Sequence, residues 1–269
     1  MVKGFYVIDA HCHIYPEKIA EKAVAATDRF YSSTAYGKGT VEHLVKAYGE
    51  FGIDHAIVQS VATTPHQVKS INEFIAKEVE LSDGFLTGLG TLHPDSSDIA
   101  GDIEHLRELG LKGVKLHPDI QGFKVDKSEL LKIYELCEKQ ALPILMHTGD
   151  YRYDNSNPNR VLPILKAYPC LTMIGAHFGG WSEWQNASEI YKGLDNIFID
   201  TSSSLYQMPP DTAARLIREF GVSRCFFGTD YPMWDINEEL ERFMRVPLTD
   251  SEREDILYNN AKNFLNNLA

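Results

Sequence analysis

Phe5-Tyr6-Val7-Ile8-Asp9-Ala10-His11-Cys12-His13 begins as an apolar run and passes directly into two histidines one residue apart. Side chains on a strand alternate faces with period two, so a strand through this segment puts His11 and His13 side by side. Two imidazoles so placed can share one metal ion. Cys12 points the other way and reads as a small core residue, not a ligand. A histidine pair in a surface turn has the same local pattern. What separates the two readings is whether later strands also end in ligand-bearing residues.

Outward from this segment, residues 14–39 include Tyr15-Pro16 and the Gly-, Ser- and Tyr-rich stretch from Tyr31 to Gly39. They read as a long irregular connection able to wall or cover a site. The pattern then becomes regular. A helix over 41–51 ends at Gly52 and leads into a β-branched strand over 55–61, and a helix from Pro65 carries Ile71, Phe74, Ile75 and Val79 at helical spacing. Further strands are expected at 85–92, 113–118, 143–147, 171–177, 196–200 and 224–230. Helices are expected near 99–109, 127–140, 161–167, 183–191 and 211–220, with helical segments to the C-terminus. Eight short strands, each followed by a helix, predict parallel pairing through helical crossovers. The predicted fold is therefore α/β, a (β/α)8 TIM barrel, with a doubly wound open sheet as the alternative. No composition shift or Pro/Gly/Ser linker divides the chain, so residues 1–269 read as one domain.

Lys plus Arg number 26 against 38 Asp plus Glu, a formal net charge of −12. Such a surface repels phosphate backbones and anionic lipid, which argues against nucleic-acid and membrane partners. Met1-Val2-Lys3-Gly4 leads into the first strand without a signal-type apolar segment, and no apolar run approaches membrane-spanning length. A cytoplasmic protein is expected, and a homodimer is left open. Cys12, Cys137, Cys170 and Cys225 form no CxxC pair and read as buried free thiols.

In a (β/α)8 barrel the C-terminal strand ends converge on one mouth. Strand one ends in His11 and His13, strand five in His147, strand six in His177 and strand eight in Asp230. Packing alone gives no reason for five metal- or proton-capable groups at the same end of regularly spaced strands. His-x-His followed by Met146-His147-Thr148-Gly149, Gly175-Ala176-His177-Phe178-Gly179-Gly180 and Gly228-Thr229-Asp230-Tyr231-Pro232 resembles the amidohydrolase superfamily. Within it the chain is most similar to the amidohydrolase-related branch that contains aminocarboxymuconate semialdehyde decarboxylase. The resemblance implies that His11, His13, His147 and Asp230 hold one divalent ion, zinc above all, with Mn2+, Fe2+ or Co2+ as alternatives. It also implies that His177 acts as acid/base or contacts the metal's water. Mixed imidazole and carboxylate donors suit these ions, and Asp230 could serve as both ligand and base.

Binuclear members of the superfamily carry a carboxylated lysine at the end of strand four, and Lys115, two residues before His117, lies one pleat deeper than that end. Here it reads as a cation inside the barrel that orients structure or substrate and needs a carboxylate partner. His117 either lines the pocket or bonds a loop, and His93 reads as structural. Arg152 is a candidate clamp for a substrate carboxylate, with Trp181, Trp234 and Tyr15 as apolar wall. Ser202-Ser203-Ser204 reads as a polar rim without nucleophile-elbow context, and the Gly-rich pairs lack the dinucleotide spacing. The expected function is hydrolysis of a small-molecule substrate, a carboxylate-bearing ester, lactone or amide, by metal-activated water. A nonoxidative decarboxylase or hydratase on the same residues is the alternative, and a barrel that only binds a ligand is a further one.

Overall fold

The computed structural model describes residues 2–268. Its staves are β1 (Ile8–His13), β2 (His55–Gln59), β3 (Leu86–Gly88 and Gly90–Thr91), β4 (Val114–Leu116), β5 (Ile144–Met146), β6 (Met173–Gly175), β7 (Ile197–Asp200) and β8 (Cys225–Phe226). Every paired neighbour is parallel. Across the break in β3, Leu89 N–H donates to Val58 O at 2.9 Å and Gly90 N–H to Gly113 O at 2.9 Å, which carries the ladder from β2 to β4. Ala10 N–H donates to Phe227 O and His13 N–H to Tyr231 O, at 2.9 and 2.6 Å, joining β1 to the strand-eight end. The sheet thus closes into the (β/α)8 barrel.

The helices in chain order are α1 (Glu17–Tyr31), α2 (Val41–Phe51), α3 (Val68–Leu81), α4 (Ile99–Glu108), α5 (Pro118–Gln121), α6 (Ser128–Lys139), α7 (Pro158–Ala167), α8 (Trp184–Ile190), α9 (Pro210–Phe220) and α10 (Ile236–Met244). A helical run over 250–266 completes the chain. α1 corrects the expectation of an irregular connection over 14–39. Only Ala20 of this helix is fully buried, and its flanks, Pro16 and the Ser/Gly-rich tail, carry turn signals that mask its helical spacing.

Inside the barrel, Ile8, Ala10, Ile57, Leu89, Leu145, Ile174, Ala176 and Phe226 form an apolar floor with Ala261, and Tyr258, Phe264 and Leu265 pack against it. The larger core lies between staves and helices and includes Cys12, Leu44, Ile75, Leu106, Ile133, Val161 and Leu216. The β1–β2 register slips between Asp9 and Cys12. A bulge there turns both Ala10 and His11 inward while Cys12 stays in the outer core. Cys137 and Cys225 are buried free thiols as expected, but Cys170 is exposed, because it sits in the turn after α7 and not inside an element. Among the described residues no helix is long and apolar enough to cross a membrane.

Candidate active site

The first stave delivers two imidazoles to the barrel mouth. His11 Nε2 lies 3.2 Å from His13 Nε2, and Asp230 Oδ1 lies 3.4 Å from the former and 3.5 Å from the latter. Three potential donors to one cation thus meet at hydrogen-bonding separations. Burial pulls His11 and His13 well below the ordinary imidazole range, with the charge of Lys115 adding to it. Both rings are neutral at pH 7, as ligands must be.

Asp200, at the end of β7, organises this cluster, and the comparison of strand ends passes over it. Its Oδ2 accepts from His11 Nδ1 at 2.8 Å. The proton is thereby fixed on Nδ1, and Nε2 keeps its lone pair for the mouth. Its Oδ1 accepts the backbone N–H of His177 at 3.1 Å and of Ser202 at 3.0 Å, and also the Ser202 hydroxyl. His177 has φ +59°, a left-handed conformation costly for a non-glycine residue and held here by that bond. His177 Nδ1 lies 3.1 Å from the Ser202 carbonyl, which can only accept. His177 therefore carries its proton on Nδ1 and offers a lone pair at Nε2. Burial pulls its pKa down to about 4.

His147 does not join the tight triad of His11, His13 and Asp230. Its Nδ1 is 3.0 Å from His177 Nε2, and its ring stacks on His117 with centroids 4.0 Å apart and planes 8° apart. The second nitrogen, Nε2, is buried without a hydrogen-bond partner and lies 3.6 Å from Asp119 Oδ2, also buried without one. His177 and His11 stack at 5.2 Å between ring centroids, so the pair adjoins the triad.

Asp230 (φ +63°) turns back into the mouth, and burial pushes its pKa up to about 7 against a hydrogen bond from Ser203 and the charge of Lys115. Ser203 Oγ donates to Asp230 Oδ2 at 2.6 Å, while Trp234 Nε1–H donates to Ser203 Oγ at 2.8 Å. Indole can only donate, so the serine proton is directed at Asp230. Ser202 and Ser203 are thus working parts of the site and not the rim expected of them, because β7 ends at Asp200 and folds them inward. Lys115 is wholly buried, with Nζ 3.0 Å from His11 Nε2. The expected carboxylate partner is not in ion-pair contact among the described residues. Burial lowers its pKa to about 8, with Asp230 and Asp200 opposing from further off.

Arg152 departs most from expectation. Its guanidinium takes both oxygens of buried Asp150, with Nη2 to Oδ2 at 2.6 Å and Nε to Oδ1 at 2.9 Å. Nη1 donates to Phe30 O of α1 at 2.8 Å. The rings of Phe30, Tyr31, Tyr153 and Trp181 surround it at 4.9–5.4 Å. The fork is committed to protein groups, so Arg152 latches α1 to the loop after β5 and is not a free clamp. Trp181 and half-buried Tyr15 stand at the mouth, whereas Trp234 is tied to Ser203 and covered by Arg242 at 5.0 Å. His117 both lines the pocket and bonds a loop: its Nδ1 accepts from Ile120 N–H at 3.3 Å and its Nε2 lies 2.8 Å from Tyr31 OH. His93 Nδ1 accepts from Asp95 N–H at 3.2 Å, in keeping with a structural role.

A family model described as amidohydrolase matches residues 8–266. The chain is 30% identical over 117 residues to 2-amino-3-carboxymuconate-6-semialdehyde decarboxylase of Dictyostelium discoideum. That match covers 41% of this chain and 32% of the relative, so it spans about a third of that protein's length. Among solved structures, an uncharacterized TIM-barrel protein from Bordetella bronchiseptica superposes with a TM-score of 0.81 at 20% identity, over 97% of this chain and 99% of that one. A dihydroxybenzoic acid decarboxylase from Polaromonas sp. JS666, with bound manganese and 2-nitroresorcinol, gives 0.74 at 17% identity, over 97% of each chain.

Proposed function

The chain belongs to the amidohydrolase family and is an enzyme of that superfamily, and from this premise we propose that it is a metal-dependent nonoxidative decarboxylase of a small unsaturated carboxylic acid. The observation that carries the proposal is Asp230, an acid with a pKa near neutrality, held against two neutral imidazoles at the mouth. A decarboxylase needs such a proton donor beside a cation site. The relatives support the same chemistry, since two of them are decarboxylases by name. Hydrolysis of an ester, lactone or amide, the expected main reaction, would use the same residues, and the two decarboxylases support it less than they support CO2 release.

The donor chemistry fits a divalent ion: Asp200 and the Ser202 carbonyl hold protons on the Nδ1 atoms of His11 and His177, and leave unprotonated nitrogens facing the mouth. We assign His11, His13 and Asp230 as ligands, joined by His147 from beside that triad. Bound there, the ion would polarise the substrate's carboxylate as a Lewis acid. Mixed nitrogen and oxygen donors accept manganese as well as zinc, and the ion in the Polaromonas enzyme is manganese.

Asp230 is assigned the proton transfer. Its carboxyl group, beside the cation site and hydrogen-bonded by Ser203, passes a proton to the carboxyl-bearing carbon. The bond from that carbon to the carboxylate then breaks, its electron pair restores the unsaturated system, and CO2 leaves. Solvent returns the proton to Asp230. His177 has no proton to give from Nε2, so its part is to face the cation site. Lys115 supplies positive charge beneath it, and Trp181 and Tyr15 form the apolar wall.

Incubating the metal-loaded enzyme with panels of hydroxybenzoate-type acids and of lactones tests the assignment. CO2 release from an acid is expected, together with close to one divalent ion per chain by elemental analysis. Lactone hydrolysis without CO2 release from any acid would return the function to the hydrolase reading. Full activity in a folded, metal-free preparation would refute both.

A further inference from the structure

Beyond the ligand cluster, His117, Asp119 and His147 bring three potential donor atoms within 4.8 Å of one another, all buried. A second cation does not suit this group. Ile120 N–H can only donate, so His117 Nδ1 accepts from it and the ring's proton resides on Nε2, toward Tyr31 OH. His117 has no lone pair left for a metal. Its ring is also nearly parallel to that of His147, and ring-nitrogen lone pairs lie in the ring plane, so theirs run side by side and do not converge.

Two atoms remain unexplained. Asp119 Oδ1 accepts from Asn155 Nδ2 at 2.9 Å, but Oδ2, on a side chain with 0% exposure, has no hydrogen-bond partner. The atom facing it at 3.6 Å is His147 Nε2, on a side chain 3% exposed and equally without a partner. The gap is just outside hydrogen-bond range. Leaving a carboxylate oxygen and a ring nitrogen buried and unpaired is costly, and each is the group the other lacks. Asp119 follows β4 and His147 follows β5, so adjacent staves bring the pair together.

We propose that Asp119 is the positioning residue of His147: its Oδ2 accepts the proton of Nε2, which makes Nδ1, the atom facing His177 Nε2, the nitrogen that His147 presents to the metal. This rests on the assignment of His147 to the metal site. The arrangement parallels that of Asp200, which fixes His11 in the opposite tautomer. One carboxylate behind each ring selects which nitrogen looks into the mouth, and a carboxylate so placed also raises the basicity of the ligand.

Two measurements test it on the full-length chain. In calorimetric titration of the metal-free protein with Zn2+, Asp119→Ala should weaken binding roughly 10–100-fold relative to wild type, and Asp119→Asn, which keeps the shape but not the charge, should fall between them. Long-range 15N–1H spectra of the zinc-loaded wild type should show His147 protonated on Nε2, a readout that stands even if both variants fail to fold. Wild-type affinity in both variants, or a proton on His147 Nδ1, overturns the positioning role and leaves the metal site intact. A wild-type protein that binds no Zn2+ and no Mn2+ overturns the metal assignment itself.

Discussion

At the scale of single residues, hydrogen-bond direction assigns the roles. Trp234 can only donate, so Ser203 must donate onward to Asp230, and that bond favours the ionised carboxylate. Removing it in Ser203→Ala should raise the Asp230 pKa. If Asp230 is the proton donor, activity is lost at the alkaline side as that acid deprotonates. The alkaline limb of kcat against pH should therefore move to higher pH in Ser203→Ala, and Trp234→Phe should move it the same way. An unmoved limb would separate Asp230 from the proton transfer. Asp230→Asn, which cannot carry the proton, should lower kcat about 10²–10⁴-fold.

Elements decide how much of this can be read in advance. Strands were legible because each short apolar run is bracketed by a helix and a turn, and His11, His13, His147, His177 and Asp230 were legible because they sit where such runs stop. Asp200 also ends a strand, yet its purpose depends on His11, which lies 189 residues away. No local spacing encodes that pairing. Asp119 is hidden for the same reason, and α1 because the turn residues that flank it, Pro16 and the Ser- and Gly-rich stretch after Tyr31, mask its helical spacing. Arg152 shows the opposite error, since an arginine on a mouth loop suggests a clamp until Asp150 and Phe30 O are seen to occupy it. Arg152→Ala would strand the buried Asp150 carboxylate. Breaking such a pair costs several kcal/mol when both partners are buried, and with the arginine side chain 23% exposed about 2–3 kcal/mol is expected. Melting should drop by roughly 5–10 °C. A raised KM with unchanged melting would restore the clamp.

For the whole molecule, closing the barrel concentrates buried ionisable groups whose pKa shifts oppose one another. Burial raises Asp9 to about 6 and Asp119, Asp230 and Glu239 to about 7. The folded chain holds these protons more tightly than the unfolded chain, so the stability they contribute is present at low pH and lost as pH rises through 6 to 7. The histidines run the other way. His11, His13, His117 and His147 are held well below 6.5 and His177 near 4, so the unfolded chain binds their protons more tightly. Their contribution is lost on acidification and complete above about 6.5. Beyond that point the carboxylates dominate until Lys115, lowered by burial to about 8, begins to lose its proton with the opposite sign. The melting temperature of the metal-free protein should therefore decline between pH 6.5 and 7.5. A divalent ion at the mouth adds a charge that binds only the folded site. Adding Mn2+ or Zn2+ at about 100 times Kd should contribute about 2.7 kcal/mol, roughly 5–10 °C at pH 7.5. The same addition should flatten the decline, because the ion is held more firmly as competing protons leave. Thermal scans of metal-free and metal-loaded protein across pH 5 to 8 measure both effects. A metal-free melting temperature that keeps rising above pH 6.5 would mean that the buried carboxylates are already ionised in the fold.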